Sequence, residues 1–134
     1  MAKIPPKNKI LLDASAFIAI VLKEDGAVLV ENAIRRGAAI SSVNLAESIT
    51  KLQNYEYTPE ELNMVVEDMQ LQVLPFTHRQ AFLSSKFYPY IKSHNLSLGD
   101  RSCLAVAMEE NYAVLTTDKS WVKLPLDITV RMIR

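Results

Sequence analysis

The hydrophobic positions of the chain fall into short continuous runs separated by longer stretches with helical spacing. The run Ile10–Leu12 is too short for a helix and suits a strand buried on both faces, as in a parallel sheet. Similar runs predict strands at residues 38–40, 71–74 and 113–116, and an alternating pattern predicts an edge strand at 128–132.

The stretches between these runs carry apolar residues at i, i+3, i+4 and i+7, which predicts helices. Residues 14–22 are almost wholly apolar and indicate a buried helix, and residues 25–36 form a second helix with Gly37 at its C-terminal end. Pro89 must break or kink a later helix. Hydroxyl or capping-box signals mark four helix starts, at Ser41 or Ser42, at Thr58 with Glu61, at Thr77 with Gln80, and at Ser97.

Strands and helices therefore alternate along the whole chain. This order predicts a single domain over residues 1–134, built as a three-layer α/β/α sandwich with a mostly parallel central sheet. In such folds the ligand site lies at the carboxyl ends of the strands, where the strand order reverses.

Composition narrows the class of protein. The formal net charge is zero, which excludes a strongly basic nucleic-acid binder, so affinity for a polyanion must come from a local patch or from metal ions. Cys103 is the single cysteine, and no apolar span reaches the ~20 residues of a membrane helix. We expect a cytoplasmic protein with no membrane partner, in which the basic, Pro-rich residues 1–8 are peripheral.

Four carboxylates occupy positions that suggest a site. Asp13 and Asp118 follow predicted strands, so both are expected at carboxyl ends. Asp100 lies in the first turn of its helix, on the same face as apolar residues, whereas Glu47 lies opposite the apolar face of its helix. Two carboxylates about 5 Å apart repel by roughly 3 kcal/mol at an effective dielectric of about 20. A converging group would take up protons or recruit a hard cation such as Mg²⁺ or Mn²⁺.

Each carboxylate also has an ordinary local explanation. Asp13 and Asp118 suit turns after strands, Asp100 completes a capping box with Ser97, and Glu47 can pair with Lys51 one helical turn away. Local pattern alone leaves these alternatives open for every residue.

The four segments around these residues resemble those of PIN-domain proteins, specifically VapC-type toxins of type II toxin–antitoxin pairs. The matching segments are LLDASAFIA, SSVNLAE, LSLGDRSCLAVA and LTTDKSW, in the family's order. The resemblance implies an endoribonuclease that uses Mg²⁺ or Mn²⁺ to activate water. It implies Asp13, Asp100 and Asp118 as metal ligands, Glu47 as ligand or proton acceptor, and supporting roles for Ser15, Asn44 and Thr116. It also implies an RNA substrate, commonly tRNA or rRNA, a homodimer and a cognate antitoxin.

Two other classes of protein compete with this interpretation. A phosphoryl-transfer domain with an aspartyl nucleophile also places an Asp after its first strand. However, a phosphatase of that type needs a second Asp at position 15, where this chain has Ser15. A receiver domain needs an acidic pair near the end of the first strand, where Asp13 stands alone. A non-catalytic PIN-like RNA-binding or regulatory module remains an alternative, because intact carboxylates do not by themselves establish turnover.

Overall fold

The strands form one parallel sheet. The computed structural model describes residues 9–134, and within them the strands are β1 (Ile10–Leu12), β2 (Ala39–Ser41), β3 (Gln72–Leu74), β4 (Ala113–Thr116) and β5 (Val130–Met132). Their order across the sheet is β3-β2-β1-β4-β5, and every neighbouring pair is parallel. The predicted sheet is confirmed, with β5 at an edge, and the expectation for residues 1–8 lies outside the described residues.

The four helices for which the sequence predicts a capping residue begin directly after that residue. Within residues 9–134 the helices are α1 (Ala14–Leu22), α2 (Ala27–Arg35), α3 (Ser42–Leu52), α4 (Pro59–Asp68), α5 (His78–Leu83), α6 (Ile91–His94) and α7 (Leu98–Glu110). Ser41 caps α3, and complete capping boxes open α4, α5 and α7. Pro89 lies in a 3₁₀ segment, Ser84–Tyr90, that separates α5 from α6, so the predicted break is confirmed. No helix in residues 9–134 is long and apolar enough to cross a membrane.

The sheet separates two apolar cores. Successive strand residues point to opposite faces, so Ile10 and Leu12 of β1 pack in one core while Leu11 packs in the other. The first core contains buried residues of α1, α2, α3 and α4, and the second contains buried residues of α7 and Trp121. The three-layer α/β/α architecture expected from the sequence is therefore confirmed.

The strand order reverses at β1. From β1 the chain continues through β2 to β3 on one side, and β4 and β5 lie on the other side. The carboxyl ends of β1 and β4 are consequently neighbours at the switch point, where open α/β sheets bind ligands. Asp13 follows β1 and Asp118 follows β4, so the fold brings together two residues 105 positions apart in sequence.

Candidate active site

Asp13 is the buried centre of the site. It caps the N-terminus of α1, where its Oδ1 accepts hydrogen bonds from the backbone N–H of Ala16 at 2.9 Å and from Ser15 Oγ at 2.6 Å. The Thr116 hydroxyl, at the end of β4, donates to Oδ2. The residue is only 6% exposed. Asp13 is thus a carboxylate held by three donors in a place where water scarcely reaches it.

Burial dominates the acidity of Asp13. Desolvation raises the pKa of its carboxyl, hydrogen bonds from Ser15, Thr116 and Ala16 lower it, and the negative charge of Asp100 raises it slightly, so that the pKa lies at about 6 instead of 3.8. Near pH 6 the group is therefore balanced between the protonated and the ionised form, and a nearby cation would favour the ionised form.

Two hydroxyl groups connect the ends of β1 and β4. Thr116 Oγ1, while donating to Asp13, accepts the backbone N–H of Asp118 at 3.0 Å. Ser15 Oγ donates to Asp13 and accepts the N–H of Thr117 at 3.0 Å. Ser15 and Thr116 therefore fix the loop that carries Asp118 relative to Asp13.

Asp118 begins the short 3₁₀ segment Lys119–Lys123. Its Oδ1 accepts the backbone N–H of Ser120 at 2.9 Å and the Ser120 hydroxyl at 2.7 Å. Ser120 was not singled out from the sequence. An Asp followed two residues later by Ser is a common turn pattern, so the local signal was present but did not point to a site.

Asp100 enters the site from the N-terminus of α7. Its Oδ2 accepts the N–H of Ser97 at 2.9 Å, and its own N–H donates to Ser97 Oγ at 3.1 Å. Partial burial raises the pKa of Asp100, and the negative charges of Glu47 and Asp118 raise it further, while the hydrogen bonds from Ser97 lower it. Asp100 is therefore both a helix cap and a member of an acidic neighbourhood.

Glu47 extends from α3 toward the start of α7. Its carboxylate is 3.4 Å from Lys51 Nζ and 3.5 Å from Asn44 Nδ2. Asn44 is buried, and its Nδ2 also donates to the carbonyl oxygen of Gly99 at 3.1 Å. The polar face of α3 thus packs against α7, whereas the apolar face that contains Leu45 packs into the first core.

Asp100 is the carboxylate that links the other three electrostatically. Asp100 influences the pKa of Asp13, and both Glu47 and Asp118 influence that of Asp100. The Cys103 thiol is buried in the second core, and its pKa is raised well above its ordinary value, first by burial and then by the charges of Asp13, Asp100 and Glu47. Cys103 is therefore a core residue that lies within reach of the charges of the site.

The carboxylates are not drawn together into a ligand set. Within residues 9–134 no group of three or more His, Cys, Asp or Glu side chains is arranged to hold a metal ion. Asp100 and Asp118 instead accept hydrogen bonds from their local partners Ser97 and Ser120, and Glu47 pairs with Lys51. These local roles were expected from the sequence, whereas Asp13 is the N-cap of α1 and not simply a turn residue after β1. The local bonds coexist with the shared electrostatic neighbourhood because one carboxylate has several acceptor positions.

The residue types fit a hard divalent cation. Carboxylate oxygens are the donors that Mg²⁺ and Mn²⁺ prefer. Burial first, and repulsion between carboxylates in addition, raise the pKa of both Asp13 and Asp100. A bound cation would replace that repulsion with attraction. We therefore take Asp13, Glu47, Asp100 and Asp118 as the residues available for such an ion.

Comparison with known proteins identifies the family. The sequence profile of the PIN domain matches residues 10–125, a span that contains all four carboxylates. This chain belongs to the PIN-domain family. The family predicted from the four sequence segments is confirmed, and this PIN domain has Asp13 and Asp118 at the switch point of the sheet.

Solved structures share the fold of this PIN domain at low sequence identity. VapBC2 from Rickettsia felis, bound to a promoter DNA fragment, is 19% identical with a TM-score of 0.70, covering 92% of this chain and 97% of that one. DNA-bound VapBC from Salmonella typhimurium is 19% identical with a TM-score of 0.69, and the match covers 94% of this chain and 98% of that one. VapBC-5 from Mycobacterium tuberculosis is 21% identical with a TM-score of 0.58, and the match covers 94% of this chain and 98% of that one. No curated protein sequence matches the chain significantly.

Proposed function

We propose that the chain is a single-domain, metal-dependent endoribonuclease that acts as the toxin of a type II toxin–antitoxin pair. The observation that carries the proposal is the buried Asp13 carboxylate, whose pKa is raised to about 6, beside Asp100 at the switch point of a PIN domain. Burial of an ionised carboxylate opposes folding, and a bound cation would offset that cost.

Asp13, Asp100 and Asp118 would hold the metal, and Glu47 would act as a further ligand or as a proton acceptor. A bound Mg²⁺ or Mn²⁺ would supply an activated water and neutralise charge that develops on a phosphate. The chain's own contribution is orientation. Ser15 and Thr116 hold the Asp13 carboxylate through hydrogen bonds, and the Asn44 amide lies within 3.5 Å of Glu47 Oε1.

An RNA substrate is consistent with the charges around the site. The net charge of the protein is zero, so binding of a polyanion depends on local cations. Lys51 lies 3.4 Å from Glu47, and Arg101 and Lys119 directly follow Asp100 and Asp118. We propose that these basic residues contact the RNA backbone and that the substrate is a structured RNA such as tRNA or rRNA.

The proposed partners are a cognate antitoxin and a second copy of the chain, both in the cytoplasm. Three structures that share this fold are described as VapBC assemblies, and one of these is called a member of the VapBC toxin–antitoxin family. An antitoxin segment that carries an Arg would find a complementary surface in the acidic site, because guanidinium and carboxylate groups form strong charge-assisted hydrogen bonds.

Incubation of purified, antitoxin-free protein with total cellular RNA tests the nuclease proposal. With Mg²⁺ or Mn²⁺ we expect discrete RNA fragments, and with excess EDTA we expect intact RNA, because carboxylates without a cation cannot stabilise the negative charge that develops on the phosphate. Fragments that persist in EDTA would argue for contamination or metal-independent chemistry. Absence of cleavage by folded protein across several RNA classes would favour the alternative of a non-catalytic RNA-binding or regulatory module.

A further inference from the structure

Gly99 occupies a helical position at which glycine is not needed for the backbone. It is the second residue of α7, and its φ is not among the positive values found at Gly26 and Gly37. Glycine is a poor helix former because it loses more backbone freedom on folding than other residues. The backbone conformation therefore does not require glycine at position 99, and the neighbouring atoms have to account for it.

The space beside Gly99 is filled by the Glu47 carboxyl group. A Cβ atom added to Gly99 would lie 2.6 Å from Glu47 Oε1, 3.1 Å from Cδ and 3.3 Å from Oε2, whereas ordinary contact begins at 3.4 Å. The carboxyl group thus rests directly against the Gly99 backbone. Any residue other than glycine would displace Glu47 or push α3 away from α7.

The Asn44 amide contacts both the Gly99 backbone and the Glu47 carboxylate. Its Nδ2 donates to Gly99 O at 3.1 Å and lies 3.5 Å from Glu47 Oε1. Ser41 Oγ donates to Asn44 Oδ1 at 2.7 Å, which fixes the direction of the amide. Asn44 and Ser41 are both buried, so the amide has little freedom to turn.

We propose that Gly99 is a positioning residue, which together with Asn44 sets the place of the Glu47 carboxylate next to Asp100. Asp100 directly follows Gly99 in α7, so contact between Glu47 and the Gly99 backbone fixes the separation of the two acidic side chains. This inference rests on the proposed nuclease function for its effect on activity. The contact itself is a matter of structure and can be tested independently.

The Gly99→Ala variant is the first test. The added methyl group must move the flexible end of Glu47 by roughly an ångström, and a displacement of this size in an active site can cost up to about a hundredfold in rate. We expect a crystal structure with α7 intact and the Glu47 carboxyl shifted, an unfolding midpoint no lower than that of the wild type, and RNA cleavage reduced about 10- to 100-fold.

A shorter acid at position 47 separates positioning from a general structural effect. Asp is one methylene shorter than Glu and clears the added methyl group, so Gly99→Ala in a Glu47→Asp background should cost less than about threefold. Ser102→Ala is the matched control, because it changes a buried position of the same helix whose hydroxyl donates only to Leu98 O. It should leave cleavage and the position of Glu47 unchanged.

Two results would overturn the proposal. One is a Gly99→Ala structure in which the Glu47 carboxyl has not moved, and the other is an equal loss of cleavage with Glu47 and with Asp at position 47. If the wild-type protein cleaves no RNA, the proposed function fails, and the position of Glu47 in the Gly99→Ala structure still decides whether Gly99 has a positioning role.

Discussion

The Asp100→Asn variant is expected to lose RNA cleavage by at least about a thousandfold while keeping its fold. Asn retains a side-chain oxygen that can accept the Ser97 N–H, so the capping box that opens α7 is preserved. What disappears is one negative charge in the neighbourhood of Asp13, Glu47 and Asp118. The measurement is single-turnover cleavage of the RNA identified with the wild-type protein.

Glu61→Gln is the matched control for this variant. Glu61 completes the same type of capping box at the start of α4, where it is exposed. Its substitution should leave cleavage unchanged.

Expression without a partner should stop bacterial growth for the wild type and for Glu61→Gln but not for Asp100→Asn. Equal cleavage by Asp100→Asn and wild type would remove Asp100 from the active site, and normal growth with the wild type would contradict the toxin role.

The free energy of unfolding of the metal-free protein is expected to fall as pH rises from about 4 to 7, largely because of Asp13. The folded pKa of about 6 exceeds the ordinary 3.8, so the folded state binds the proton more tightly than the unfolded state does. This contribution is fully present below pH 3.8 and is lost as pH rises through 6. The difference corresponds to about 3 kcal/mol at neutral pH.

Asp13→Asn isolates this effect. The amide is neutral at every pH, and its oxygen can still accept from Ser15 and Ala16, although its nitrogen cannot accept from the Thr116 hydroxyl, which makes the gain smaller than the full effect of the charge. In urea unfolding with EDTA, the variant should be more stable than the wild type at pH 7, by up to about 3 kcal/mol, and should lose that advantage near pH 4. The exposed Asp127→Asn variant serves as a control and should follow the wild type. A wild-type advantage that grows with pH would contradict the raised pKa.

The sheet and its helices were predictable because the local signals and the tertiary structure agree. Ile10–Leu12 is apolar throughout and is buried on both faces in the structure. Thr58 with Glu61 predicts the start of α4, and the structure has a complete capping box at these two residues. The edge strands were less well bounded. β3 begins at Gln72 and β5 at Val130, each later than predicted, since an edge strand pairs on one side only and its ends depend on its neighbour.

The site was predictable only in part. Asp13 and Asp118 could be placed from the strands that precede them. The contact between Glu47 and Gly99 could not, because it depends on how closely α3 packs against α7, and no local pattern encodes that distance. A glycine in the first turn of a strongly capped helix was the available signal. In residues 9–134 the carboxylates do not form a ligand set, which differs from the convergence of four acids expected from the sequence.

The central claim is that Asp13, Glu47, Asp100 and Asp118 act together as one divalent-cation centre. Calorimetric titration of the metal-free protein with Mn²⁺ near pH 6, in two buffers of different ionisation enthalpy, tests it most directly. We expect saturable binding that releases protons, because the pKa of Asp13 is about 6 and the ion displaces its proton, and we expect much weaker binding by Asp100→Asn. Folded protein that binds no Mn²⁺, or that binds it equally well after Asp100→Asn, would contradict the claim.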